Sequence, residues 1–118
     1  MGIGLHIKLE EIEQVVVLRI DGRIDHSTAP LLERKIDTLC GEDHIQLALD
    51  FSRIDYLSSS GMRVLLSETK KLHSRKGALV LFSVGSEVEE VLKMAGFDRI
   101  LRIFPTEKEA LQTFYQGK

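Results

Sequence analysis

The first residues of the chain follow the patterns of two β-strands. Residues 5–9 alternate apolar and polar side chains with a period of two, which predicts a half-buried strand. Residues 15–20 are β-branched and almost wholly apolar, which predicts a more deeply buried strand. Because only a short polar segment separates them, the two strands are predicted to form an antiparallel hairpin.

Three further strand-like segments alternate with helical ones. Residues 45–51, 78–82 and 100–104 are apolar runs of strand length. Gly22 is predicted to end the second strand, and residues 52–58 are predicted to form a loop after the third. The predicted order of elements is β-β-α-β-α-β-α-β-α.

The helices are predicted from apolar side chains that recur on one face. Leu32, Ile36 and Leu39 recur in this way in the first helix. In the second helix the buried face is expected to contain Met62, Leu65, Leu66, Thr69, Leu72 and His73. Capping boxes at Ser86 and Thr106 predict the starts of the third and fourth helices.

This order of elements predicts an α/β fold. Parallel strands need crossover connections, so the sheet is expected to be mixed and mostly parallel, with the first strand antiparallel at one edge and about four helices. One domain is expected over residues 1–118. The segments 22–28 and 52–61 should lie side by side, because ligands and partners meet such sheets at the carboxyl ends of the parallel strands.

Three serines and a glycine, Ser58, Ser59, Ser60 and Gly61, stand where the third strand leads into the second helix. One serine is enough to cap a helix and contributes about 1 kcal/mol. Capping does not account for three serines, nor for a glycine in the first turn, where it costs the helix about 1 kcal/mol. The glycine indicates a close approach of other atoms or a sharp turn.

Such a serine turn is suited to carrying a phosphate. A phosphoserine at a helix N-terminus meets free N–H groups and the positive end of the helix dipole, so it costs its own chain little. A partner that buries the bare hydroxyl of the unphosphorylated turn would, after phosphorylation, have to desolvate a dianion, at a cost of several kcal/mol. The turn is therefore compatible with a switch that changes binding without unfolding the domain.

Composition excludes several other kinds of protein. Lys and Arg total 16 and Asp and Glu 18, a formal charge of −2 that gives no electrostatic reason to bind nucleic acid or a membrane. The single cysteine, Cys40, excludes an intrachain disulfide and favours a reducing compartment. The four histidines show no metal-ligand spacing with it, so no metal site and no cofactor are expected.

Two segments of the chain resemble the STAS domain family, and specifically its small stand-alone anti-sigma factor antagonists. Residues 22–29 (GRIDHSTA) are similar to the family's stretch after the second strand. Residues 49–62 (LDFSRIDYLSSSGM) are similar to its Leu-Asp-Leu and Asp-Ser-Ser-Gly-Leu patterns. Matches at Gly77 and around Gly96 extend the resemblance over nearly the whole chain.

The resemblance implies a STAS-like fold and a partner switch in the cytoplasm. The unphosphorylated protein would bind an anti-sigma factor that is also a serine kinase, which frees the sigma factor. The kinase would then phosphorylate Ser59, which lies beside Asp25, and a serine phosphatase would reverse the step. Ser58 stands where the family commonly has an acid, so Ser58 and Ser60 stay open as modified residues.

The surface expected to meet the partner surrounds this turn. It comprises Asp25, His26, Ser27, Ser58, Ser59, Ser60, Gly61, Met62 and Arg63. The protein is expected to be a monomer with no membrane contact. An alternative is a STAS adaptor subunit of a lipid or anion transport system that is never phosphorylated.

A hydrolase is the third possibility. Ser59 could be a nucleophile with Asp25 and His26 as its proton-relay partners. However, Leu57 stands where a nucleophile elbow has its first glycine. No catalytic residues are therefore expected.

Overall fold

The computed structural model of the protein describes residues 4–116. The expected single domain over residues 1–118 extends beyond them at both ends and stays a prediction. The elements are β1 (Leu5–Ile12), β2 (Val15–Ile24), α1 (Ala29–Gly41), β3 (Gln46–Leu57), α2 (Ser59–Ser74), β4 (Ala78–Phe82), α3 (Ser86–Met94), a short 3-10 helix (Phe97–Arg99), β5 (Arg102–Phe104) and α4 (Glu107–Gln116). Every helix in this part of the chain is too short or too polar to cross a bilayer.

The five strands form one sheet in the order β1-β2-β3-β4-β5. The β1–β2 pair is antiparallel, and the other three pairs are parallel. The expected fold class, a mixed and mostly parallel sheet with an antiparallel strand at one edge and four helices, is confirmed.

Two apolar cores lie on opposite faces of the sheet. The larger core joins β-strand residues such as Leu18 and Leu49 to buried residues of α1, α2 and α3. The smaller one joins Val17 and Val80 to Ala110 and Phe114 of α4. Burial of two faces explains why residues 15–18 and 47–49 are apolar without alternation.

The carboxyl ends of β2 and β3 run further than the sequence predicts. Gly22 does not end β2 but lies inside it, at φ +129°, where a Cβ would come within 2.1 Å of the Gly4 carbonyl oxygen. Residues 52–57 are not a loop but the end of β3, which pairs with β2 as far as Leu57.

Two helix assignments from the sequence are also wrong in detail. The buried face of α2 contains Val64 and Glu68, whereas His73 is exposed. Gly85, and not Ser86, is the N-cap residue of α3, so the predicted capping box is absent there. The buried face of α2 is set by tertiary packing, which local pattern does not report.

Arg19 of β2 ties together three elements around it. Its guanidinium donates to the carboxylates of Glu10 on β1, Asp50 on β3 and Glu107 on α4 at 2.8–3.2 Å. The hydrogen bonds to Glu107 and then Glu10 and Asp50 raise the pKa of Arg19 further, against the opposing effect of burial. The guanidinium therefore compensates three carboxylates at once.

Replacement of Arg19 by Met should lower the free energy of unfolding by about 1–3 kcal/mol, because half-buried Asp50 loses its cation. Urea denaturation at neutral pH measures the effect. The matched control is Arg53→Met, which removes a 3.9 Å ion pair between exposed side chains and should change stability by less than about 0.5 kcal/mol. Equal losses in the two variants would contradict the role assigned to Arg19.

Candidate functional site

The site is built where β2 and β3 end side by side. Ile24 is paired with Leu57 in the parallel ladder, and the Ser58 N–H donates to the Ile24 carbonyl at 2.8 Å. Asp25 and Ser58 directly follow these two residues. The expected adjacency of the two segments is thus confirmed, although most of the predicted loop before Ser58 is strand.

The three serines have different surroundings. Ser58 is extended, at φ −86° and ψ 172°, and its hydroxyl accepts a hydrogen bond from the Gly61 N–H at 3.1 Å, which makes it the N-cap of α2. Ser59 is the first residue of the helix and is exposed, whereas Ser60 is half-buried. Of the three side chains, that of Ser59 is the most open to an incoming protein.

Gly61 holds the first turn of α2 close to the strand ends. It is buried, and a Cβ built on it would lie 2.6 Å from Ile24 Cγ2 and 2.7 Å from Leu57 Cδ1. Both neighbouring side chains are themselves buried in the larger core. The close approach expected of this glycine is therefore present. It explains why a residue of low helix propensity stands in the first turn of α2, where a larger residue would not fit.

Asp25 orders the turn before α1. Its Oδ1 accepts hydrogen bonds from the Ser27 N–H at 2.9 Å, the Ser27 hydroxyl at 2.7 Å and the Thr28 N–H at 3.0 Å. These bonds, that from the Ser27 hydroxyl first, lower the pKa of Asp25 to about 2. Asp25 thus supplies a fixed negative charge next to the serine turn and also shapes its own loop.

A pH dependence follows from this lowered pKa. Asp25 stabilises the fold in its charged form, so its contribution is present above its ordinary pKa of 3.8 and is lost as the pH falls through about 2. Asp25→Asn should therefore be less stable than the wild type at neutral pH, and the difference should disappear between pH 4 and pH 2. Thermal unfolding measured across this range tests it, and a constant difference would contradict it.

A groove of about 340 Å³ separates α1 from the start of α2 beside the turn. His26 and Glu33 line its α1 side, and Ser60, Arg63 and Ser67 line its α2 side. Glu33 and Ser67 are absent from the residues proposed from the sequence. They lie on facing helices, and only the pairing of α1 with α2 brings them to the site.

The residues proposed for partner contact are not equally accessible. His26, Ser27, Ser59 and Arg63 are exposed. Met62 is half-buried and packs against the larger core, while Gly61 is buried. The four exposed side chains are therefore accessible from solvent, whereas Met62 and Gly61 face inward.

Comparison with known proteins identifies the family. The STAS domain model matches residues 6–110. The chain is 33% identical to the anti-sigma-F factor antagonist RsfB of Mycobacterium tuberculosis over 107 residues, covering 88% of this chain and 84% of that protein. It is 28% identical over 111 residues to the anti-sigma F factor antagonist of Paenibacillus polymyxa, covering 92% and 93%.

A solved structure shows the same fold. The crystal structure of an anti-sigma factor antagonist from Mycobacterium paratuberculosis superimposes with a TM-score of 0.84 at 26% identity, covering 92% of each chain. The resemblance drawn from residues 22–29 and 49–62 is therefore confirmed. The chain belongs to the STAS domain family.

Proposed function

We propose that this protein is an anti-sigma factor antagonist that acts as a phosphorylation-controlled partner switch. The unphosphorylated form binds an anti-sigma factor that is also a serine kinase, and the sigma factor is released. Phosphorylation of Ser59 ends the complex, and a serine phosphatase restores it. The observation that carries the proposal is the exposed Ser59 at the first position of α2, in a chain whose relatives are named as antagonists.

The geometry of the turn favours Ser59 over its neighbours as the phosphoacceptor. The Ser58 hydroxyl already accepts from the Gly61 N–H, so a kinase would have to disrupt this cap of α2 to reach it. The Ser60 side chain is half-buried in the groove between α1 and α2. A phosphate on Ser59 would instead lie outside the helix and next to its free N–H groups.

The same geometry explains how the two states would differ. The helix dipole accommodates negative charge at the N-terminus of α2, so the phosphorylated domain keeps its fold. The surface around it already carries the charged Asp25. A partner that seals this surface would have to desolvate both groups, and the added dianion makes this unfavourable.

The remaining features of the proposal concern the chain as a whole. We propose a single-domain cytoplasmic monomer that is not itself an enzyme and that receives its phosphate from a kinase holding ATP. The partner surface comprises Asp25, His26, Ser27 and residues 58–63. Because the relatives from Mycobacterium tuberculosis and Paenibacillus polymyxa are named anti-sigma factor antagonists, they favour this function over an adaptor subunit of a transport system.

Mass spectrometry of the protein purified from its native cell tests the phosphoacceptor. The wild type should contain a population heavier by one phosphoryl group, located on Ser59 by peptide mapping. Ser59→Ala should lose that population. Ser58→Ala is the matched control: it should keep the phosphate and lose about 1 kcal/mol of stability with its cap. Phosphate that persists in Ser59→Ala would place the modification elsewhere.

Co-purification tests the partner. Ser59→Ala should retain a small ATP-binding kinase constitutively. Ser59→Asp should retain less of it, because its carboxylate adds negative charge to the contact, although less than a phosphate does. Recovery of a membrane transporter with both variants, and of no kinase, would favour the adaptor and overturn the switch.

A further inference from the structure

Three carboxylates meet where α1 packs against α2. Glu33 and Asp37 lie one turn apart on α1, and Glu68 lies on α2. One carboxylate oxygen from each residue lies within 4.8 Å of those of the other two. Carboxylates repel one another at this separation unless a proton or a cation lies between them.

Glu68 is the unusual member of the cluster. It is 0 % exposed, although ionised glutamates are rarely buried without full pairing. Its Oε2 accepts from Lys71 Nζ at 3.2 Å, but its Oε1 is buried and has no hydrogen-bond partner among residues 4–116. An unpaired buried carboxylate oxygen costs several kcal/mol, and this cost points to a missing ligand.

We infer that Glu33, Asp37 and Glu68 form a binding site for a hard divalent cation between α1 and α2. Oxygen ligands alone select ions such as Mg²⁺, Ca²⁺ and Mn²⁺ over softer metals. The size of the cluster fits, since oxygens on opposite sides of such an ion, at about 2.0–2.6 Å from it, are separated by up to about 5 Å. Water would complete the coordination on the exposed side, next to Asp37.

Lys71 is the internal competitor for this site. Its ammonium lies 3.3 Å from Asp37 Oδ1 and 3.2 Å from Glu68 Oε2. Half of its side chain is exposed, so it can turn into solvent when a metal ion enters. Lys71 places one positive charge against three carboxylates, whereas a divalent ion supplies two.

The sequence does not reveal this cluster and predicts no metal site. Glu68 lies 31 positions after Asp37, and none of the three ligands is a histidine or cysteine. Only the packing of α1 against α2 brings them together. The site is separate from the phosphoacceptor, although Glu33 also lines the groove beside Ser60.

Titration of the full chain with Mn²⁺ tests the inference. Binding is measured as a loss of the EPR signal of the free ion. The wild type should bind one ion. Glu68→Gln and Asp37→Asn should each weaken binding at least about tenfold. Lys71→Met should bind more tightly than the wild type, because it removes the competing charge and keeps the aliphatic stem. Glu90→Gln on α3, which makes the same change in net charge, should bind as the wild type does.

A thermal shift on the same variants separates metal binding from folding defects. Mn²⁺ should raise the melting temperature of the wild type and of Lys71→Met, and at the same concentration should raise that of Glu68→Gln and Asp37→Asn less. If Glu68→Gln fails to fold, exposed Asp37 carries the test alone. Absence of binding in both the wild type and Lys71→Met, or equal binding by all acidic variants, would overturn the inference. Displacement of Mn²⁺ by Mg²⁺ or Ca²⁺ identifies the preferred ion.

Discussion

Phosphorylation of Ser59 is expected to weaken binding of the anti-sigma factor by at least about 100-fold without lowering the melting temperature of the free domain. Ser59 is exposed at the N-terminus of α2, so a phosphate there gains from the helix dipole and breaks no cap. In the complex the same group would be buried beside charged Asp25, and a cost of about 3 kcal/mol is enough for a 100-fold loss.

Isothermal titration of the purified phosphorylated and unphosphorylated proteins measures the first quantity, and calorimetric melting measures the second. Ser59→Ala exposed to the same kinase and ATP serves as the control and should keep its affinity. A large drop in the melting temperature on phosphorylation would contradict the mechanism, because loss of binding would then follow from unfolding and not from the altered contact.

Replacement of Gly61 by Val is expected to destabilise the protein by about 2–4 kcal/mol. The new Cβ would lie 2.6 Å from Ile24 Cγ2 and 2.7 Å from Leu57 Cδ1, and both of those residues are buried at the ends of β2 and β3. Relief of the contact requires α2 to move away from the strands. That movement would strain the Ser58 N–H bond to the Ile24 carbonyl.

Chemical denaturation measures this loss, and Gly41→Ala provides a matched control. Gly41 is the last residue of α1, and a Cβ at this position would meet open space, with no tertiary neighbour among residues 4–116 within 4 Å. Alanine there should be neutral or stabilising by up to about 1 kcal/mol, since it has the better helix propensity. A Gly61→Val variant as stable as Gly41→Ala would show that the turn is loosely packed.

The ends of β2 and β3 show which parts of the fold can be predicted from the pattern of apolar and polar residues. Up to Asp50, β3 has β2 on one side and β4 on the other, and its residues 47–49 are buried and apolar. Beyond Asp50 only β2 continues beside it, and exposed polar residues such as Arg53 and Tyr56 interrupt the apolar pattern. The segment therefore looks like a loop, although Ile54 and Leu57 remain buried.

The candidate site divides in the same way. Ser59 and Asp25 could be proposed from the sequence because each lies in a short motif between a predicted strand and a predicted helix. Glu68 could not, since a glutamate within a helical pattern is ordinarily assigned to solvent. Its burial depends on α1, whose buried residues lie 29 to 39 positions earlier in the chain.

The separation of the capping hydroxyl from the exposed one has a consequence for turnover in the cell. The Ser58 hydroxyl caps α2, and a phosphate on Ser59 would leave that hydroxyl chemically unchanged. The phosphorylated form should then open to proteases no more often than the unphosphorylated one, because the helix dipole stabilises the phosphate and degradation of a small domain follows the population of its opened state. The ratio of the phosphorylated to the unphosphorylated form would be set by the rates of the kinase and the phosphatase. The same molecules could then return to the other form when the signal reverses.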